Sequence, residues 1–319
     1  MPRRPRETVS PATFAATLDY RLGPQGRWVI VRRGAPRDVM NLTAADVVAP
    51  ASGLFDIKRP AKRQRYLQKL GDPGYKGPRI LAEGDSWFEH PLPTDTIEIL
   101  GRTYAVLSLA KAGDSWSDYA SQEGQYYSDR SPMGLFESLR KERPKIVLIS
   151  GSGNEILGDI QNYVKPFAPN RPVEDYIITE KFERLLAFCG SMLLSNMRSV
   201  VGMGAHAVFH SYDYPNPQSN GQYIGAPLEI YCRIPGPTLW RAIVNRMLDL
   251  YFDYVSDLLR QANEPKAHFI RLLGTIGTNN VNQGPDPEFW WDEIHPSAKG
   301  SRKIAARFQS KIREIAQTP

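Results

Sequence analysis

Apolar positions along this chain follow two periods. From residue 76 onward, short apolar runs alternate with stretches in which apolar residues recur every three or four positions. The runs at 79–82, 104–109, 145–150, 207–211 and 268–272 predict strands. Between them, Trp240, Val244, Met247, Tyr251, Val255 and Leu258 share one face of a predicted helix over 238–262. Ile304, Phe308, Ile312 and Ile315 do the same over 297–315. Strand and helix alternating in this way predict an α/β fold, a parallel sheet covered by helices on both faces. Two irregular stretches, 126–132 and the Pro/Gly-rich 212–237, read as insertions that can shape a pocket.

The first 75 residues have another texture. Residues 28–31 read as a strand, 41–46 as a helix start, and the first dozen as a mobile tail. Over 58–69 the cations Lys58, Arg59, Lys62, Arg63, Arg65 and Lys69 crowd a segment whose strong apolar positions are Leu67 and Leu70, which predicts an exposed helix. Gly71-Asp72-Pro73-Gly74 breaks it. The chain therefore divides into a basic N-terminal extension, 1–75, and a main domain, 76–319.

Charge sharpens that division. The chain carries a net +6, yet residues 1–75 hold 14 Lys/Arg against 6 Asp/Glu and the remainder 26 against 28. A basic extension of this kind either contacts nucleic acid or an anionic surface, or is simply a solvated face. Apolar content of 41% permits a substantial core. The apolar stretch 185–197, flanked by Arg184 and Arg198, reads as a buried helix, and no stretch reads as a transmembrane segment. No apolar region follows the basic start, so a secretory signal is not expected. Cys189 and Cys232 are read as reduced, buried thiols and the location as cytoplasmic.

Candidate chemistry sits where predicted strands end. Gly84-Asp85-Ser86-Trp87 follows the first, and Gly113-Asp114-Ser115-Trp116 repeats that tetrapeptide after the second. Each offers a serine at a sheet edge, and Ser115 can equally cap the helix that follows. Ser152-Gly153-Asn154-Glu155 follows the third strand; Asn154 can donate to an oxyanion or cap a helix. Of five histidines, His295 lies three residues after Asp292, close enough for a carboxylate–imidazole pair that leaves one ring nitrogen for a serine. An Asp-x-x-His is also what a helix cap beside an exposed histidine looks like. His90 follows Ser86 too closely and has only Glu89 nearby. His210 ends a strand and reads either as lining the pocket or as a packed strand end. Phe289, Trp290 and Trp291 read as loop anchors or as a lip for an acyl chain.

Together the four segments resemble the SGNH hydrolases, also called the GDSL esterase/lipase family. That family has a Gly-Asp-Ser turn, a glycine after the second strand, a Gly-x-Asn-Asp turn and a late Asp-x-x-His. The likeness covers residues 78–316, with Ser152 standing for a glycine and Glu155 for the aspartate. It implies a three-layer α/β/α sandwich with a central, mostly parallel five-stranded sheet of flavodoxin-like order. It also implies Ser86 as nucleophile, His295 as base and Asp292 as its orienting acid. The oxyanion hole would come from the Ser86 and Gly113 backbones and the Asn154 side chain. Trp87, Tyr212 and Trp291 are the candidate substrate-binding residues.

The expected activity is hydrolysis of a carboxylic ester, lipid-like or an O-acetylated carbohydrate, through an acyl-enzyme, with no cofactor or metal and with activity falling in acid. The competing expectation is a non-catalytic module on the same fold that contacts nucleic acid or an anionic surface through residues 1–75.

Overall fold

The computed structural model describes residues 18–22, 28–32, 34, 47–50, 52–120, 126–128, 131–132, 134–219 and 221–317. The helix start expected at 41–46 and the first dozen residues lie outside them. The chain forms two compact units, one of residues 1–60 with 91–93 and one of residues 61–90 with 94–319. The division falls at residue 60, inside the helix Ser52–Gly71, rather than at the glycines that end that helix.

In the first unit, strands β1 (Leu18–Leu22), β2 (Trp28–Arg32) and β3 (Val47–Pro50) form an antiparallel sheet in the order β1-β2-β3. Residues 28–31, predicted as a strand, lie in β2.

The second unit is built on five parallel strands. These are β4 (Arg79–Gly84), β5 (Ala105–Ser108), β8 (Ile146–Ser150), β9 (His206–His210) and β10 (Ala267–Ile270), in the order β10-β9-β8-β4-β5. In chain order this is the doubly wound 2-1-3-4-5 arrangement. From β4 the chain first moves outward to β5, then returns to the other side of β4 as β8. Connections diverge at that point, leaving a crevice beyond the strands' C-terminal ends. β8 is buried throughout and β4 at all but its first residue, as strands covered on both faces must be.

Helices cover the sheet on both sides. Helix Ala298–Gln317 packs on Thr96–Thr103, burying Ile304, Ala305, Phe308, Ile312 and Ile315. Helix Gly236–Ala262 packs on Thr179–Gly202. Among the described residues Thr179–Gly202 alone is long and apolar enough to cross a membrane by length and composition. Its Phe182, Leu186, Leu193, Met197 and Val200 are buried in this unit. Cys189 and Cys232 are free and buried, and burial pushes the Cys189 thiol up to about 12.

Three expectations need correction. The basic helix is not exposed on all sides, because Lys62 and Tyr66 are buried and Tyr66 Oη donates to Glu142 Oε2 at 2.5 Å. Residues 126–132 contain the paired strands β6 (Tyr126–Ser128) and β7 (Ser131–Pro132). Residues 212–237 hold the helix Gly225–Ile230 and a turn folded around one buried carboxylate. Charge and Pro/Gly content report surface preference, whereas the buried face of the basic helix and the turn around the carboxylate arise from partners distant in sequence.

Candidate active site

The crevice beside β4 and β8 is where the sequence-predicted residues meet. β4 ends at Gly84, packed so closely on β8 that a Cβ there would lie 2.6 Å from Ser150 Cβ and 2.9 Å from Ser150 O. Asp85 N–H donates to Ser150 O at 3.3 Å, and the N–H groups of Phe88 and Glu89 both donate to Asp85 O at 3.1 Å. One tight turn thus lifts Ser86 off the sheet's end.

Opposite it, the segment before helix Ala298–Gln317 presents His295. Ser86 Oγ lies 2.8 Å from His295 Nε2, and His295 Nδ1 lies 2.7 Å from Asp292 Oδ2. The other carboxylate oxygen of Asp292 accepts the backbone N–H groups of Ile294 (2.9 Å) and His295 (2.8 Å). Asp292 is therefore fixed by the backbone of the histidine it orients. The network assigns the proton to Nδ1, which leaves the Nε2 lone pair facing the serine hydroxyl.

Asn154 lines the same cleft as Ser86. Its side-chain amide donates one N–H to Asp114 O at 2.6 Å, which ties the turn after β8 to the segment after β5. Gly113, in that segment, has φ +85°, a left-handed conformation that favours glycine. No described group accepts the Ser86 or Gly113 N–H. Gly113 is not among the residues lining the cleft.

The two departures from the family pattern reach the same segment. Ser152 adopts φ +89°, where a glycine would be unstrained, and its Oγ accepts Trp116 Nε1 at 2.9 Å. Glu155 Oε1 accepts Trp116 N–H at 2.6 Å. Burial pushes the Glu155 carboxyl up while that N–H opposes the shift.

Of the candidate binding residues, Trp87 and Tyr212 line the cleft and Trp291 does not. The Trp291 ring lies 6.5 Å from that of His90. Trp87 Nε1 donates to Ile294 O at 3.1 Å, joining the turn that carries Ser86 to the histidine segment. Tyr212, at φ +59°, donates its hydroxyl to Asp85 Oδ2. Asp85 also accepts Ser150 Oγ at 2.7 Å and Trp87 N–H at 3.0 Å. Burial raises its carboxyl above the usual range, against these three donors. The remaining cavity is small, about 20 Å³, with apolar walls from Ile156, Leu157, Leu248 and Ile294.

Three neighbours complete the surroundings of the site, of which Glu293 escaped the sequence reading. Glu293 is buried and accepts four backbone N–H groups, from Gln218 (2.9 Å), Tyr223 (2.8 Å), Ile224 (2.9 Å) and Gly225 (2.8 Å). Burial pushes it up to about 7 against those donors. The loop it gathers sets the Tyr223 ring 5.4 Å from that of His295. His90 packs its ring 4.5 Å from that of His295. His210 is buried, and burial drives it down to about 3. Nothing local marks Glu293, whose four donors lie 68–75 residues away. Among the described residues His90, Asp292 and His295 are the set whose ligand atoms, all within 4.8 Å of one another, can hold a metal ion. In the geometry observed, Asp292 and His295 direct theirs at each other and at Ser86.

No family model and no curated protein matches this chain. Solved structures do. A GDSL-like lipase from Bacteroides thetaiotaomicron matches at 12% identity and a TM-score of 0.43, covering 82% of this chain and 98% of its own. A putative platelet activating factor protein from Streptococcus pneumonia matches at 12% identity and 0.45, over 82% and 98%. An acetylxylan esterase from Geobacillus stearothermophilus, in a catalytic mutant, matches at 15% identity and 0.44, over 74% and 94%.

Proposed function

We propose that the protein is a serine-dependent hydrolase of SGNH/GDSL type that cleaves a carboxylic ester carrying a short acyl group. One observation carries this reading: the hydrogen-bonded chain from Ser86 Oγ through His295 to Asp292, at 2.8 and 2.7 Å.

In this mechanism His295 Nε2 takes the hydroxyl proton as Ser86 Oγ attacks the ester carbonyl. Asp292 holds the imidazole in orientation and stabilises its cation. The tetrahedral oxyanion would be met by the Ser86 N–H and the second N–H of Asn154, which line one cleft, with the Gly113 N–H as the third donor that the family resemblance implies. The imidazolium then protonates the leaving alkoxide as the C–O bond breaks, which yields the alcohol and the acyl-Ser86 ester. Water, activated by the same histidine, attacks that ester and releases the carboxylic acid, restoring Ser86 and neutral His295.

Acyl size follows from the cleft. A cavity of about 20 Å³ holds little more than one water-sized group. Its apolar wall supports an acetyl-sized acyl group rather than a fatty chain.

The test compares p-nitrophenyl acetate with the octanoate on wild type, Ser86→Ala and His295→Ala, alongside fluorophosphonate labelling with mass mapping. Expected are acetate turnover in wild type, loss in both variants, and the label on Ser86. Retained turnover in Ser86→Ala, or a label elsewhere, rejects the assignment. Preference for octanoate rejects the acyl size alone.

A further inference from the structure

The second-unit part of the basic helix carries a buried cation that faces the nucleophile turn. Lys62 Nζ donates to Phe88 O (3.2 Å), Glu89 Oε2 (2.5 Å) and Asp95 Oδ2 (2.8 Å). An ammonium has three protons, and each has an acceptor. The lysine and both carboxylates are buried. Burial alone would lower the lysine, but Asp95 and Glu89 outweigh it and hold the group above its usual value.

The three acceptors belong to parts that matter here. Phe88 and Glu89 close the turn that begins at Asp85 and carries Ser86. The next residue is His90, whose ring packs 4.5 Å from that of His295. Asp95 caps the helix Thr96–Thr103, accepting Glu98 N–H at 2.8 Å. A single cation thus joins the far end of the nucleophile turn to the start of the next helix. It does so from a segment outside residues 78–316, where the family likeness lies.

We infer that Lys62 is a positioning residue for the reaction at Ser86: its ammonium sets the Phe88–His90 segment, and through it the approach of Ser86 to His295. The inference rests on the hydrolase reading above. Removing only the ammonium would leave two carboxylates buried together and threaten folding. A neutral set avoids that imbalance. A misplacement near 1 Å at a reacting pair is enough to lower rates by roughly a hundredfold, so the effect falls on the chemical step rather than on substrate binding.

The experiment uses the full chain and two variants, Lys62→Met/Glu89→Gln/Asp95→Asn and Lys62→Arg. Cooperative melting establishes folding. The readouts are kcat and KM on p-nitrophenyl acetate and the rate of fluorophosphonate labelling at Ser86. In the folded neutral variant, kcat and labelling fall at least tenfold while KM stays within about twofold of wild type. Lys62→Arg keeps the charge but cannot fit a planar fork to the same three acceptors, so its kcat falls about threefold or more. Wild-type kcat and labelling in whichever variant folds overturn the proposal. Failure of wild type itself to label or turn over ester rejects the hydrolase reading instead, so the two failures are distinct.

Discussion

Gly-Asp-Ser-Trp occurs twice, and the two copies have opposite fates. Residues 84–87 begin at the last residue of β4, at the divergence point of the sheet, whereas residues 113–116 follow β5, its edge strand. In the first copy Ser86 faces His295, and Asp85 is buried under hydrogen bonds from Ser150, Tyr212 and Trp87. Trp87 joins the cleft wall. In the second copy Ser115 Oγ donates to Asp118 Oδ2 at 2.6 Å, and Ser115 N–H meets the same oxygen at 2.7 Å. Trp116 is fully buried, and the Asp114 carbonyl takes the Asn154 amide. Identical residues therefore come to face a histidine or to bond the first turn of a helix, according to which strand precedes them and what converges on its end.

The sharpest way to break that contrast is to remove each hydroxyl. Ser86→Ala is expected to lower kcat on p-nitrophenyl acetate by about 10³-fold or more, since the remaining donors alone cannot form an acyl-enzyme. Ser115→Ala is expected to leave kcat within about twofold. Equal losses in steady-state kinetics would show that the copies share one chemistry.

A smaller effect tests the packing around the first copy. His210 stacks on Trp87 at 5.7 Å, and its Nδ1 accepts Tyr212 N–H at 3.2 Å. The folded chain takes a proton on this ring only near pH 3, the unfolded chain near 6.5. Between those values the unfolded state binds more protons, so acid favours unfolding. The stability this ring contributes is present above 6.5 and is lost as pH falls toward 3, amounting to about 3 kcal/mol at pH 4. His210→Phe keeps a ring beside Trp87 but cannot protonate. Urea denaturation at pH 7 and pH 4 should show a loss on acidification smaller by about that amount. An unchanged loss would show that the ring is hydrated in the folded state.

What the sequence reveals follows from the range of the interactions involved. The parallel sheet was legible because β4, β8 and β9 are apolar runs bounded by turns, and the helix 236–262 because its apolar residues keep a helical period. Ser86, Asn154, Asp292 and His295 could be named because each sits in a short motif at an element's end. The supports of the site were not legible. Glu293 draws its four donors from a loop 68–75 residues earlier, and a lone glutamate carries no mark of that. Lys62 looked like one cation among six, because charge pattern does not reveal that Glu89 and Asp95 lie buried beneath it. Of the three named aromatic residues Trp87 and Tyr212 line the cleft and Trp291 does not, and aromatic character alone does not separate them.

The smallest expected effect lies in the second copy. If Ser115 is a cap, its worth is structural and local. Ser115→Ala deletes the hydroxyl that bonds Asp118 Oδ2 and Ser117 Oγ (2.7 Å), while the Ser115 N–H can still reach Asp118. Half of the reciprocal arrangement survives, and the lost hydroxyl is partly exposed. The cost should therefore be that of one partly exposed hydrogen bond, about 0.5–1 kcal/mol. For a unit of this size that lowers Tm by roughly 1–4 °C, with kcat at the wild-type value. The combination discriminates where neither number does alone. A drop in Tm without a drop in kcat marks a cap at the sheet's edge, while a drop in kcat at constant Tm would place the Ser115 hydroxyl in the reaction and undo the distinction between the copies.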